Sequence, residues 1–301
     1  MEDIPYPMAE PYDADPVLGH DVRVDAARLT TYRHDGLTFD VLDEGPVDGD
    51  PVVLLHGFPE RATCWRLVAP LLHEVGLRTI APDQRGYSRG ARPRGRRAYA
   101  SGRMVGDAIA LLETIGEPAH LVGHDWGAAV GWAVAAFRPD LVRTWTAFSV
   151  PHTAAYAKAL RGPQLRRSWY MAAFMLPLLP ELSARPGGPL ERMLARSGMT
   201  HDDLARFERE IVADGALPGA LGWYRGLPFS MSASVGKVTV PTTMVWSTRD
   251  GAIDRQGVLD TEQWCSGPYE YVELERVTHW IPTQAPDAAA KAILDRIASV
   301  G

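Results

Sequence analysis

The chain has 301 residues, a formal net charge of −6, 46% hydrophobic and 23% charged residues, which suits a globular protein with a sizeable core in one elaborated domain or two small ones. The acidic balance argues against a nucleic-acid binder, and the longest strongly apolar stretch, Trp169 to Pro180, is too short for the roughly 20 residues that span a bilayer. Cys64 and Cys265 show neither CxxC nor metal-ligand spacing, so free thiols are expected; Met1-Glu2-Asp3-Ile4-Pro5 lacks a signal-peptide pattern, so a cytoplasmic location is expected.

Short β-rich runs alternate with helical patterns along the chain. Val52-Val53-Leu54-Leu55 reads as a buried strand ending at His56-Gly57, and Thr79-Ile80-Ala81 as a second ending at Pro82-Asp83. Arg85, Arg89, Arg92, Arg94, Arg96 and Arg97 follow as a basic cluster, read as a solvated loop. Met104, Ala108, Leu111, Leu112 and Ile115 keep one helical face apolar up to Gly116. His120-Leu121-Val122 is a third strand running into Asp125, and Gly127 to Phe137 a helix. Trp145–Val150, Thr243–Trp246 and Tyr271–Leu274 are further strands, and Pro286–Ser299 closes the chain as a helix. The alternation predicts an α/β fold with a mainly parallel sheet and helices on both faces. Residues 151–236 break the rhythm with helices, prolines and glycines and no convincing strand. They are expected to form a helical lid inserted into a core of residues 1–150 and 237–301, over the carboxyl edge of the sheet.

Gly123-His124-Asp125-Trp126-Gly127 has the frame of a nucleophile elbow, with aspartate where serine is usual. A carboxylate is a poor acyl-transfer nucleophile, but it can displace a leaving group at saturated carbon and form an alkyl ester. Asp125 is therefore the candidate nucleophile, although an aspartate here also suits a helix N-cap. His279, after the last strand, is the candidate base, and Asp250, after the strand Met244-Val245-Trp246, the acid that orients it, with Asp254 as runner-up. Nucleophile, acid and histidine stand in the chain order of α/β-hydrolases, each after a different strand. The backbone N–H groups of Phe58, in His56-Gly57-Phe58-Pro59, and of Trp126 are candidate oxyanion donors.

His56-Gly57-Phe58-Pro59-Glu60, Asp83-Gln84-Arg85-Gly86-Tyr87-Ser88, Gly123-His124-Asp125-Trp126-Gly127 and His279-Trp280 together resemble the α/β-hydrolase-fold epoxide hydrolases, over nearly the whole chain after about residue 27. That resemblance implies two acid tyrosines in the lid. Ser168-Trp169-Tyr170-Met171 resembles the first such segment, and Gly222-Trp223-Tyr224-Arg225 the second, where the family usually has Asn before Trp-Tyr-Arg. It implies conversion of an apolar epoxide to a vicinal diol with water as co-substrate and with no cofactor or metal. His56, Pro59, Trp169, Phe174 and Trp280 are the expected substrate-pocket side chains; a homodimer is left open. Haloalkane or haloacid dehalogenases share the fold, and a halide leaves without a proton, so the tyrosine pair favours the epoxide. A non-catalytic ligand receptor on the same fold is a third reading, against which the retained triad argues.

Overall fold

The computed structural model describes residues 28–230 and 234–300. Eight strands form one sheet: β1 (Thr31–His34), β2 (Leu37–Glu44), β3 (Pro51–Leu55), β4 (Arg78–Pro82), β5 (Ala119–His124), β6 (Val142–Phe148), β7 (Thr242–Ser247) and β8 (Tyr269–Leu274), in the order β1-β2-β4-β3-β5-β6-β7-β8. β1 and β2 pair antiparallel, as do β2 and β4; every other pair is parallel. The central strands β3, β5 and β7 are buried at every position, as a parallel sheet covered on both faces requires. Side chains alternate along β3. Val53 and Leu55 face one apolar cluster, Val52 and Leu54 the other.

The helices α1 (Ala69–His73), α2 (Ser101–Ile115) and α3 (Trp126–Phe137) follow β3, β4 and β5. Seven helices then lie between β6 and β7: α4 (Thr153–Ala159), α5 (Gln164–Arg167), α6 (Trp169–Met175), α7 (Leu179–Ser183), α8 (Pro189–Ser197), α9 (His201–Phe207) and α10 (Leu217–Gly226). The chain ends with α11 (Arg255–Leu259), α12 (Ile281–Gln284) and α13 (Pro286–Ala298). α2 and α3 cover one face of the sheet; α1 and α13 cover the other. Among the described residues no helix is long and apolar enough to cross a membrane.

β1 and β2 have no counterpart among the strands expected from sequence. They form a hairpin around Asp35-Gly36, both at positive φ, a turn signal that the weakly alternating flanks obscured. The basic cluster is not a purely solvated loop. Arg85 is 1% exposed and donates from Nε and Nη2 to Asp107 at 2.7 Å each. Arg92 donates to the Tyr87 carbonyl and pairs with Asp214, just before α10. Buried guanidinium groups need such partners, so Arg85 and Arg92 are structural, whereas Arg89, Arg94, Arg96 and Arg97 are exposed as expected of a solvated loop. Cys64 and Cys265 are both free thiols.

Candidate active site

The site gathers at the carboxyl ends of β3, β5, β7 and β8. Asp125 occupies the turn from β5 into α3 with φ 52° and ψ −121°, a conformation costly for any residue but glycine. It stands at the N-cap position, yet its side chain does not cap the helix. Its Oδ1 accepts the Phe58 N–H at 2.8 Å, and its Oδ2 lies 3.4 Å from His279 Nε2. The Trp126 N–H, first in α3, has no intrahelical carbonyl to meet. Gly57 is dictated by this crowding: a Cβ there would come within 2.4 Å of the Asp125 side chain.

His279 Nδ1 faces Asp250 Oδ2 at 2.8 Å. The other Asp250 oxygen accepts the N–H groups of Ala252 and Ile253 at 2.8 and 2.9 Å, which fixes the carboxylate. Asp254, the runner-up, instead caps α11 by accepting the Gln256 N–H. Burial alone would lower His279, but the Asp250 and Asp125 carboxylates raise it to about 10. Burial opposes ionisation of Asp125 as well, yet His279 and the Phe58 N–H hold its carboxyl below the ordinary value. The resting pair is thus carboxylate and imidazolium.

Three supports of this arrangement went unread in the sequence. His124 Nε2 and Ser149 Oγ both donate to the His279 carbonyl, at 2.9 and 3.0 Å, and Ser247 Oγ donates to the Thr278 carbonyl at 2.7 Å. Each stands at or just beyond the end of a strand, so the sheet itself holds the histidine loop. His124 is in the elbow motif, but Ser149 and Ser247 carry no local signal.

Tyr170 on α6 and Tyr224 on α10 come together above Asp125, ring centroids 6.2 Å apart and nearly perpendicular. Burial first, then the neighbouring phenols and the Asp125 carboxylate, push both well above the usual phenol value. α10 is anchored on both sides. Trp223 Nε1 donates to the Arg85 carbonyl at 2.6 Å, and Arg225 pairs with Glu181 at 2.7 Å. The glycine in Gly222-Trp223-Tyr224-Arg225 has a steric cause, since a Cβ at Gly222 would approach the Tyr99 ring to 2.8 Å. A third phenol, Tyr156 on α4, bonds Ser168 Oγ at 2.8 Å and was not singled out from sequence.

A cavity of about 680 Å³ opens from Asp125, lined also by Trp126, Tyr156, Tyr170, Met171 and Tyr224; this is within the usual range for small-molecule sites. None of the five expected pocket side chains is among its lining residues. Trp169 is 63% exposed, because α6 turns Tyr170 inward. His56 is fully buried, accepting the Gln84 N–H at 3.0 Å, and burial lowers it to about 4. It ties the β3 loop to the β4 loop. Pro59 borders a separate crevice beside Glu60 and Arg206. Phe174 packs behind the tyrosines, 5.0 Å from Tyr224 and 5.1 Å from Phe58. Trp280 covers His279 edge-on at 5.3 Å and donates to Ser197 Oγ at 3.0 Å.

The helical excursion is fastened to the sheet by charge. Asp214 faces Arg61, Arg89 and Arg92; Asp203 meets Arg66 at 3.0 Å; Arg206 donates to Thr63 at 2.6 Å and lies 3.7 Å from Glu60. Burial raises the Glu60 carboxyl to about 7 against the opposing pull of Arg206.

Residues 52–292 match the Alpha/beta hydrolase family. The chain belongs to that family. Over 90% of its length this hydrolase is 33% identical to the AB hydrolase superfamily protein YfhM of Bacillus subtilis, covering 98% of that protein. It is 27% identical to epoxide hydrolase A of Mycobacterium tuberculosis, over 86% of this hydrolase and 94% of that relative. Among solved structures, one of the novel epoxide hydrolases from metagenomes of hot environments superposes with a TM-score of 0.77 at 30% identity, covering 87% of this hydrolase and 95% of the other chain. Epoxide hydrolase A of Mycobacterium thermoresistibile superposes with a TM-score of 0.77 at 25% identity, covering 90% and 98%.

Proposed function

We propose that this hydrolase opens an epoxide to a vicinal diol, with the helical excursion 151–236 serving as a lid over a core of residues 1–150 and 237–301. The observation that carries the reading is the position of Asp125: an ionised carboxylate at one end of an apolar cavity, under two protonated phenols and beside a histidine–aspartate pair. The relatives that bear the name epoxide hydrolase support it.

In the first step Asp125 attacks an epoxide carbon. The carbon–oxygen bond breaks, and Tyr170 and Tyr224 hydrogen-bond the departing alkoxide, one giving up its proton. Phenols this far above their usual value remain protonated at neutral pH and serve as acids. The product is a hydroxyalkyl ester of Asp125. In the second step His279, oriented by Asp250, takes a proton from water as that water attacks the ester carbonyl. The Phe58 and Trp126 N–H groups hold the oxyanion, a contribution of about 3 kcal/mol per donor. The tetrahedral intermediate collapses to the Asp125 carboxylate and the diol, whose departing oxygen takes the proton of the newly added hydroxyl. The proton that His279 sheds after ester formation restores the tyrosine, and the one it takes from water restores the imidazolium.

The charge balance sets the order of events. His279 is kept protonated partly by the Asp125 anion. Ester formation removes that anion, so the histidine falls toward its ordinary value and becomes a base only when there is an ester to hydrolyse. Phe58 offers only its backbone where a halide would need a donor, which favours the epoxide over a haloalkane. The test is His279→Gln incubated with styrene oxide. Intact mass should rise by one epoxide, on a peptide containing Asp125. An unmodified variant, or release of halide from bromoalkanes without epoxide turnover by the wild type, would falsify this reading.

A further inference from the structure

The cavity is far longer than the reacting group needs. Trp126, Ala129, Val130, Ala133 and Phe137 line it, one face of α3 at i, i+3, i+4, i+7 and i+11. It therefore runs the whole helix, about 18 Å at 1.5 Å per residue, from the nucleophile to the exposed end at Phe137. Gly102, Val105, Gly106 and Ile109 of α2 form a second wall, and Leu227, Ser230 and Val235 a third. At the nucleophile end the aromatic stack of Phe58, Phe174, Tyr224 and Trp126, with centroids 5.0–5.2 Å apart, backs the tyrosine pair.

Among the described lining residues only Asp125 and Arg138 are charged. Arg138 lies at the far mouth, and its guanidinium is committed. Nε and Nη2 donate to Asp140 at 2.9 and 2.8 Å, and Nη1 donates to Glu113 at 2.6 Å. A carboxylate arriving there meets an already neutralised cation, and the rest of the described lining offers it hydroxyls, those of Ser101, Thr153, Tyr156, Ser230 and Ser234 among them, but no free positive charge.

We propose that the α2–α3 arm of the cavity is a binding site for the uncharged alkyl tail of the substrate, so that the preferred substrate class is a neutral long-chain aliphatic compound with its epoxide at or near one end. The inference rests on the reading of Asp125 as the alkylating carboxylate. An extended alkyl chain, whose 1.5 Å bonds zigzag, advances about 1.3 Å per carbon, so roughly 14 carbons fill the arm.

The test has a kinetic and a binding limb. In the first, kcat/KM is measured for 1,2-epoxyhexane, 1,2-epoxyoctane, 1,2-epoxydecane and 1,2-epoxydodecane. It should rise about three- to fourfold per methylene, which is the ~0.8 kcal/mol of a buried methylene at 1.4 kcal/mol per tenfold. Ala133→Phe blocks the middle of the arm and should cut the dodecane-to-hexane ratio by at least about tenfold. In the second limb calorimetry compares dodecanamide with dodecanoate, with no reaction involved. The amide should bind at least about tenfold tighter, and Ala133→Phe should abolish that binding. Phe137→Lys, at an exposed helix end that tolerates a cation, should narrow the gap between amide and carboxylate; it carries the test if Ala133→Phe fails to fold. A flat chain-length series together with epoxyhexane turnover, or dodecanoate binding as tightly as the amide, overturns the alkyl site and leaves the epoxide reading standing. Amide binding that Ala133→Phe removes, with no epoxide turned over, does the reverse.

Discussion

The two halves of the site are held by different physics. The core half, Asp125, His279 and Asp250, sits on turns at strand ends, and its supports are hydrogen bonds donated by neutral groups: Ser149, His124 and Ser247 to the histidine loop, and the Ala252 and Ile253 N–H groups to Asp250. The lid half, Tyr170 and Tyr224, rides on short helices fastened by ion pairs, among them Arg225 with Glu181 and Asp214 with three arginines. Neutral bonds inside a sheet are insensitive to salt, whereas partly exposed charge pairs are screened by it. On the proposed function, the core half keeps its geometry while the lid half opens to a substrate.

The largest effect that separates them is loss of the nucleophile. Asp125→Asn should lower kcat by at least about 10⁴-fold, as removal of a member of a catalytic unit does, while leaving the thermal transition cooperative by calorimetry. Next come the phenols. Tyr170→Phe and Tyr224→Phe should each slow alkylation roughly 10- to 100-fold, and together about 10³-fold, with ester hydrolysis unchanged in rapid-quench experiments. If hydrolysis slows instead, the halves are not separable.

Smaller effects probe the fastenings. Ser149→Ala removes one of the bonds to the His279 carbonyl, worth about 1 kcal/mol. It should slow ester hydrolysis by up to about tenfold and leave alkylation alone; equal slowing of both steps would mean the histidine loop also positions Asp125. Asp214→Asn strips three arginines of a shared partner and should lower unfolding stability by about 1–3 kcal/mol in urea titrations, raising KM more than kcat. The effect should shrink in high salt. Glu60 gives the mildest signal. Its folded value of about 7 exceeds the ordinary 4.5, so the folded state holds a proton that the unfolded state has released. Stability is therefore lost as pH rises from 4.5 through about 7. Glu60→Gln should remove that slope from Tm measured between pH 5 and pH 8; an unchanged slope would assign it to another group.

The same division explains what could be read from the chain. The parallel strands β3, β5 and β7 were legible because each is a run of buried β-formers with a glycine or aspartate one to three residues beyond its end. Asp125 and Asp250 were legible because each follows such a run, and His279 because it comes after the last strand, β8, although that strand is only half-buried. Tyr170 and Tyr224 came from local motifs by resemblance, without any periodicity to anchor them. The pocket walls were not legible. Trp169 is an expected lining residue of the apolar lid stretch, but a helix shows only one face inward, and α6 turns Tyr170 there while Trp169 meets solvent. The actual floor is made of alanine, valine and glycine on α2 and α3, residues whose smallness makes the space and which therefore carry no chemical signature. The β1–β2 hairpin escapes for a related reason: antiparallel strands facing solvent on one side lose the apolar run that marks a central strand.

One residue at the root of the lid has a consequence for the protein's history. His152 lies where the chain leaves β6 for the first lid helix. Its Nε2 donates to the carbonyl of Gly236 at 3.1 Å, where the chain returns, and its ring stacks on Trp264 within 4° of parallel. Departure and return are thus joined by a single hydrogen bond on a histidine that burial keeps neutral, at about 4. For the core, everything between those two points is one closed loop, and lengthening such a loop costs only about 0.6 kcal/mol per doubling. The clasp fixes where the excursion leaves and returns whatever its length, so exchanging it for one of another size would leave the β6–β7 corner intact and would cost the core chiefly the ion pairs it makes to Asp203, Arg206 and Asp214.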